Sequence, residues 1–182
     1  MERVSRLKVL YRSYRREVRF FFFLTLFFVV GQALFYFINP TTSPTSLQKL
    51  IAKVCSQTIN TITPAEKTVA EGRIIRAGEF RIKIVTGCEG REGMILLAAA
   101  ILASPAGILR RVIGSLVGCV VIYLFNIIRI VILYYLLKYE PAVFNISHVY
   151  IGQVFGILIA FVFFFSWLTK FSGIDEKSGQ KV

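Results

Sequence analysis

The chain has 182 residues, 55% hydrophobic and 18% charged, with 22 Lys+Arg against 10 Asp+Glu and a formal charge of +12. Its mean hydropathy is +0.66; a water-soluble domain ordinarily carries about a quarter charged residues and no apolar run of about 20, so a single water-soluble core is excluded. The basic residues flank apolar segments instead of lining a polar face, which makes them orientation signals and contacts for membrane lipids, with no nucleic acid expected.

Residues 1–19 open with Val4, Leu7, Tyr11, Tyr14 and Val18 at intervals of three and four, set among Arg3, Arg6, Lys8, Arg12, Arg15, Arg16 and Arg19. This spacing predicts a basic amphipathic helix lying on an anionic membrane surface. Residues 20–38 form the first predicted span, ended by Asn39 and Pro40. The stretch is too long for a secretory signal peptide and no small-x-small cleavage site follows, so an uncleaved signal anchor is expected.

Residues 39–92 form a predicted extracytoplasmic loop. Its start at 41–46, with Pro44, reads as irregular, 47–58 as a short surface helix, and 68–75 with 80–85 as a hairpin turning at Arg76-Ala77-Gly78-Glu79. Residues 93–169 hold three further predicted spans, at 93–109, 112–137 and 149–169, and 170–182 form a cytoplasmic tail. The second span is rich in small residues, Ala98, Ala99, Ala100 and Ala103, which suit close helix packing. The predicted fold class is an all-α polytopic membrane protein: four transmembrane helices, a basic amphipathic N-terminal helix and a small extracytoplasmic β-hairpin.

Orientation follows from charge. Seven basic residues before Phe20 favour a cytoplasmic N-terminus, which puts the Arg110-Arg111 turn and the Lys170 end inside as well. The loop 39–92 carries eight basic residues of its own, but they are spread out and interleaved with Glu66, Glu71, Glu79, Glu89 and Glu92, so the loop is expected outside.

In this topology three chemistry-bearing residues reach one depth. Cys88 lies just ahead of the second span and His148 just ahead of the fourth. Arg129 lies in the third, eight residues short of Leu137. That is about 12 Å by helical rise, a distance its side chain can cover toward the outer surface. A charge inside a span costs about 2.5 to 3.5 kcal/mol even on the milder insertion scales, so Arg129 is a functional candidate by default. Asn126, one turn earlier, can hold its guanidinium. Cys88, between Gly87 and Gly90, is a candidate nucleophile whose thiolate a helix N-terminus and Arg129 would favour, against Glu89 and Glu92. The alternative for the same sulfur is a disulfide with Cys55, while Cys119 reads as packing. Three cysteines without a CxxC and a single histidine give no metal-ligand cluster, and no cofactor is expected. A thiolate to attack a carbonyl, an imidazole to carry protons and a guanidinium to stabilise the oxyanion make an acyl-transfer set, with no fixed acid to orient the imidazole.

The run Thr86-Gly87-Cys88-Glu89-Gly90-Arg91-Glu92 ahead of an apolar helix, the run Asn126-Ile127-Ile128-Arg129-Ile130, and Ser147-His148 at the last span resemble the exosortase/archaeosortase family. The resemblance covers residues 74–167 and is nearest to the short exosortase H-like members. It implies a membrane cysteine protease or transpeptidase, with Cys88 as nucleophile, Arg129 as electrostatic partner and His148 as acid and base. The implied partners are membrane-anchored substrate proteins whose C-terminal sorting signal combines a short motif, a membrane-spanning helix and a basic cluster. Their cleavage is implied at the outer face of the cytoplasmic membrane. The chain departs from the family pattern in lacking the extra N-terminal spans of longer members and in placing the acidic Glu89 after the cysteine. Two readings compete: a small transport or assembly subunit whose Arg129 binds an anionic ligand, and a thiol oxidoreductase, which would ordinarily need a CxxC pair.

Overall fold

The structure, a computed structural model, describes residues 14–38 and 45–171. Val4, Leu7, Tyr11 and the basic residues before Arg15, the irregular stretch through Pro44, and the tail beyond Phe171 lie outside them. The first helix, α1 (Arg15–Ile38), takes Arg15, Arg16 and Arg19 into the same continuous helix as the apolar run, with no break at residue 20. None of its residues is buried, and Phe21, Phe22, Val29 and Leu34 stand exposed. An all-round apolar helix in that condition has lipid as its solvent.

The loop region folds around its own core. Helix α2 (Ser46–Ile62) starts with a capping box: the Thr45 hydroxyl accepts from the Gln48 backbone N–H and the Gln48 side chain accepts from that of Thr45, both at 3.2 Å. Ile51, Ala52, Cys55, Ser56 and Ile59 recur on one face and are buried, so the predicted surface helix instead lines a core and runs four residues further. A short 3₁₀ turn (Pro64–Glu66) leads to β1 (Val69–Glu71), β2 (Ile74–Ala77) and β3 (Phe80–Lys83). They form an antiparallel meander in the order β1-β2-β3, with Ala70 opposite Ile75 and Ile75 opposite Ile82. The predicted hairpin is β2–β3, with Gly78 and Glu79 in its turn. Its predicted first strand, 68–75, is split by a second turn at Gly72 and Arg73, which makes three strands of two.

Four more helices follow: α3 (Arg91–Ala103), α4 (Ile108–Tyr139), α5 (Pro141–Ile146) and, after a π-helical turn (Ser147–Ile151), α6 (Gly152–Phe171). Helices α1, α4 and α6 are long and apolar enough to cross a membrane. The predicted span 93–109 is not one helix. It stops at Ala103, where the Ser104 hydroxyl bonds back to the Ile101 carbonyl at 2.6 Å and Pro105 supplies no donor. Arg111 then fills the open carbonyls, its Nε donating to Ala106 O at 2.6 Å and its Nη1 to Leu102 O at 3.0 Å. The 13 residues of α3 rise about 20 Å, short of a hydrocarbon core of about 30 Å.

Helix α3 runs against the first part of α4, with Gly90 against Asn126, Gly93 facing Ile122 and Leu97 packed on Gly118. Leu97, Ile101 and Ile122 join Trp167 of α6 in one core cluster. Past Asn126, α4 leaves that bundle and enters the other core, where Ile127, Ile130, Val131 and Tyr134 pack with Ile51, Cys55, Ile59 and Ile75. The 32-residue α4 thus serves both halves of the molecule, and the candidate site lies where it passes from one to the other.

Candidate active site

Cys88 sits in the turn between β3 and α3, two residues ahead of the Gly90 N-cap. Gly90 has φ +72°, and a Cβ there would meet Asn126 Cγ at 3.2 Å. The position therefore demands glycine twice, for the left-handed backbone and for the approach of α4. Asn126 uses that closeness: its Nδ2 donates to the Cys88 carbonyl at 3.0 Å. Asn126 thus holds the cysteine turn, not the Arg129 guanidinium that its spacing suggested.

The three predicted residues come together. Cys88 Sγ lies 3.5 Å from His148 Nε2, and Arg129 Nη2 donates to the His148 backbone carbonyl at 3.0 Å. All three side chains are half-buried. His148 belongs to the π-helical turn, whose wider loop is closed by the Gly152 N–H on the Ser147 carbonyl; single π turns of this kind recur at functional sites. Its ring lies parallel to Phe144 one turn earlier, at 5.5 Å and 4°, which fixes the imidazole plane without a carboxylate. Gly152 is one turn later, and a Cβ there would collide with Arg129 Nε. The guanidinium reaches His148 only because α6 begins with glycine.

The local electrostatics favour a neutral resting pair. Burial pushes the Cys88 thiol above its ordinary range; Arg129 pulls it back, and Glu89 and Glu92 add to the rise. Burial, then Arg129, draws the His148 imidazole below its ordinary value. The thiol is thus protonated and Nε2 is free to accept its proton, in place of the stabilised thiolate that the helix terminus suggested. Among the described residues, His148 Nδ1 and Arg129 Nε are buried without a hydrogen-bond partner. All three cysteines are free. Cys55 is fully buried, its thiol pushed up to about 12 by that burial, and Cys119 Sγ points to the Met94 carbonyl at 3.9 Å. No group of three or more His, Cys, Asp or Glu that could hold a metal ion occurs among the described residues.

Beneath Cys88 lies a buried acid. Glu89 is 1% exposed, and its Oε2 accepts from Gln48 Nε2 at 2.6 Å. Its Oε1 pairs with Arg91 Nη1 at 3.5 Å, and the Arg91 guanidinium also lies over the Phe35 ring of α1, 4.7 Å from its centroid. The departure at position 89 is therefore an anchor from the cysteine turn to α2.

The family model of the transmembrane exosortases matches residues 9–165. The chain belongs to that family. No curated protein and no solved structure matches it. Membership makes it an exosortase-type membrane protein, in a family of membrane cysteine peptidases and transpeptidases. Within this exosortase, Gln48, Phe144 and Gly152 escaped sequence reasoning as parts of the site. A signal existed for two of them: Phe144 and Gly152 stand four residues either side of His148, on one helical face. Gln48 is 41 positions from Glu89, and nothing local joins them.

Proposed function

We propose that the protein is a cysteine peptidase or transpeptidase that cuts C-terminal sorting signals of exported, membrane-anchored proteins at the outer face of the cytoplasmic membrane. The observation that carries this reading is the 3.5 Å approach of Cys88 Sγ to His148 Nε2, with Arg129 bonded to the same histidine. Cys88 attacks the scissile carbonyl as its proton passes to Nε2. The oxyanion forms beside the Arg129 guanidinium. Collapse breaks the C–N bond, the imidazolium returns its proton to the departing amine, and a thioester on Cys88 remains. Water or an amine then attacks the thioester, again losing its proton to His148, and frees the sulfur.

The membrane supplies the geometry. Residues 108–126 of α4 rise about 28 Å, close to the thickness of a hydrocarbon core. Helix α3 and the bent 104–107 segment run beside them and act as a short fourth crossing. Arg129 then stands at the outer rim, with no need to snorkel from within the core. A substrate helix in the bilayer would offer its scissile bond at that fixed level, which replaces a search in three dimensions by a lateral one. The transport reading is weaker, because the guanidinium is already engaged with the His148 carbonyl.

The test is a tagged substrate carrying a motif, a helix and a basic cluster, co-produced with the wild type or with Cys88→Ala. Processing should occur with the first and cease with the second. Continued processing by Cys88→Ala would refute the proposal.

A further inference from the structure

At the end of the bundle away from Cys88, helices α4 and α6 line a cavity of about 420 Å³. Its walls are Ile113, Val117, Phe163 and Trp167, over a floor at Gly114, and its mouth carries Arg110 and Lys170. Among the described residues, no acidic side chain lines it. Gly114 is 12 residues from Asn126, so the cavity lies about 18 Å down α4 from the cysteine turn. Both helices are of membrane-crossing length and composition, and Ile113 and Val117 face outward, so the cavity opens to the surroundings of the bundle.

The two cations have no anionic partner among the described residues. Arg111, next in sequence, spends its guanidinium on the carbonyls that end α3. Arg110 is exposed and makes no ion pair or hydrogen bond among the described residues, and Lys170 has only its position over the Phe171 ring, 5.7 Å from the centroid. An apolar slot in a membrane helix pair, closed at one end by cations that meet no carboxylate among the described residues, matches one chemistry: a hydrocarbon chain that ends in an anionic head group.

We infer that this cavity is a binding site for an anionic phospholipid, with one acyl chain between α4 and α6 and the phosphate held by Arg110 and Lys170. A substrate helix is a poorer occupant, because a basic cluster at its end would meet Arg110, Arg111 and Lys170. The site is independent of the chemistry at Cys88.

Native mass spectrometry of the full-length protein, equilibrated in detergent with equal amounts of phosphatidylglycerol and phosphatidylcholine, reads the choice directly. Retained phosphatidylglycerol should exceed phosphatidylcholine by roughly thirtyfold, the scale set by two basic residues at a membrane surface. The exposed-surface variant Arg110→Gln/Lys170→Gln should retain the two lipids equally, and Val117→Trp, which fills the slot, should lower retention of both. Equal retention by the wild type would overturn the inference. So would a preference that survives Arg110→Gln/Lys170→Gln and disappears instead on replacing Arg15, Arg16 and Arg19. Displacement of the phospholipid by a substrate's transmembrane peptide would also overturn it.

Discussion

Five residues of α4 separate two polar clusters that treat their hydrogen bonds in opposite ways. At Glu66 the bonding is closed. The carboxylate is 8% exposed, and it accepts from Lys138 Nζ at 2.5 Å, Tyr134 Oη at 2.6 Å and Tyr139 Oη at 2.5 Å. One turn back, Tyr135 meets the Thr63 hydroxyl at 2.9 Å. At Cys88 the bonding is open: among the described residues Arg129 Nε and His148 Nδ1 are buried without a hydrogen-bond partner. A cluster that only ties loop to helix gains by satisfying every group. On the proposed function, the second cluster keeps donors and acceptors in reserve for a substrate, and glycines at 90 and 152 let Asn126 and Arg129 approach. On that reading, the difference separates a clasp from a reaction centre along one helix.

The contrast can be broken most sharply at the histidine. His148→Ala should lower processing by about three orders of magnitude, the middle of the range for a lost general acid and base, while the thermal midpoint in detergent stays near that of the wild type. Glu66→Ala should do the reverse. With the buried Tyr134 hydroxyl left without its acceptor, the midpoint should drop by roughly 5 °C, and processing measured well below that midpoint should persist. If Glu66→Ala stops processing in folded protein, the two clusters are not functionally distinct.

Gly152→Ala comes next, because its Cβ collides with Arg129 Nε. Initial rates should fall by roughly tenfold or more, as expected of a displaced catalytic group, with folding retained by circular dichroism. An unchanged rate would mean that the Arg129 position is not needed. Asn126→Ala removes one bond to the Cys88 carbonyl and should cost roughly tenfold in rate. Unaltered turnover would leave Asn126 a packing residue.

The smallest effects come from pH, and the two clusters should separate on that axis too. The hydrogen bond from Lys138, with those from the two tyrosines, lowers Glu66 to about 2. Its stabilisation is therefore complete above the ordinary carboxylate range and is lost as pH falls from about 4.5 toward 2. His148, held below its ordinary value, must be neutral to take the thiol proton. Processing should therefore decline on acidification with a midpoint under about 6.5, in a range where the Glu66 clasp is intact. A midpoint above the ordinary imidazole value would contradict the neutral resting pair.

The parts of this molecule legible in the sequence are those governed by local pattern. Apolar runs located α1, α4 and α6, and strand alternation with Gly78 located β2 and β3. The cysteine, arginine and histidine could be brought to one level because spans of known rise connect them. What stayed hidden depends on contacts across long separations. The inward stripe of α2 was visible, but its partners lie on α4, so the helix read as surface. The early end of α3 comes from Ser104 and from Arg111, a side chain beyond the segment it caps. The direction of the thiol shift turned on burial, which no spacing reveals.

The proposed reaction carries its acyl group on one sulfur, that of Cys88. The direct measurement is peptide mass spectrometry of the protein isolated during turnover of a tagged substrate, with and without hydroxylamine. A hydroxylamine-labile acyl adduct on the Cys88 peptide, retained in Cys55→Ala and absent in Cys88→Ala, is the predicted result. Substrate processed at a normal rate with no adduct on Cys88, or an adduct on Cys119 instead, would contradict it.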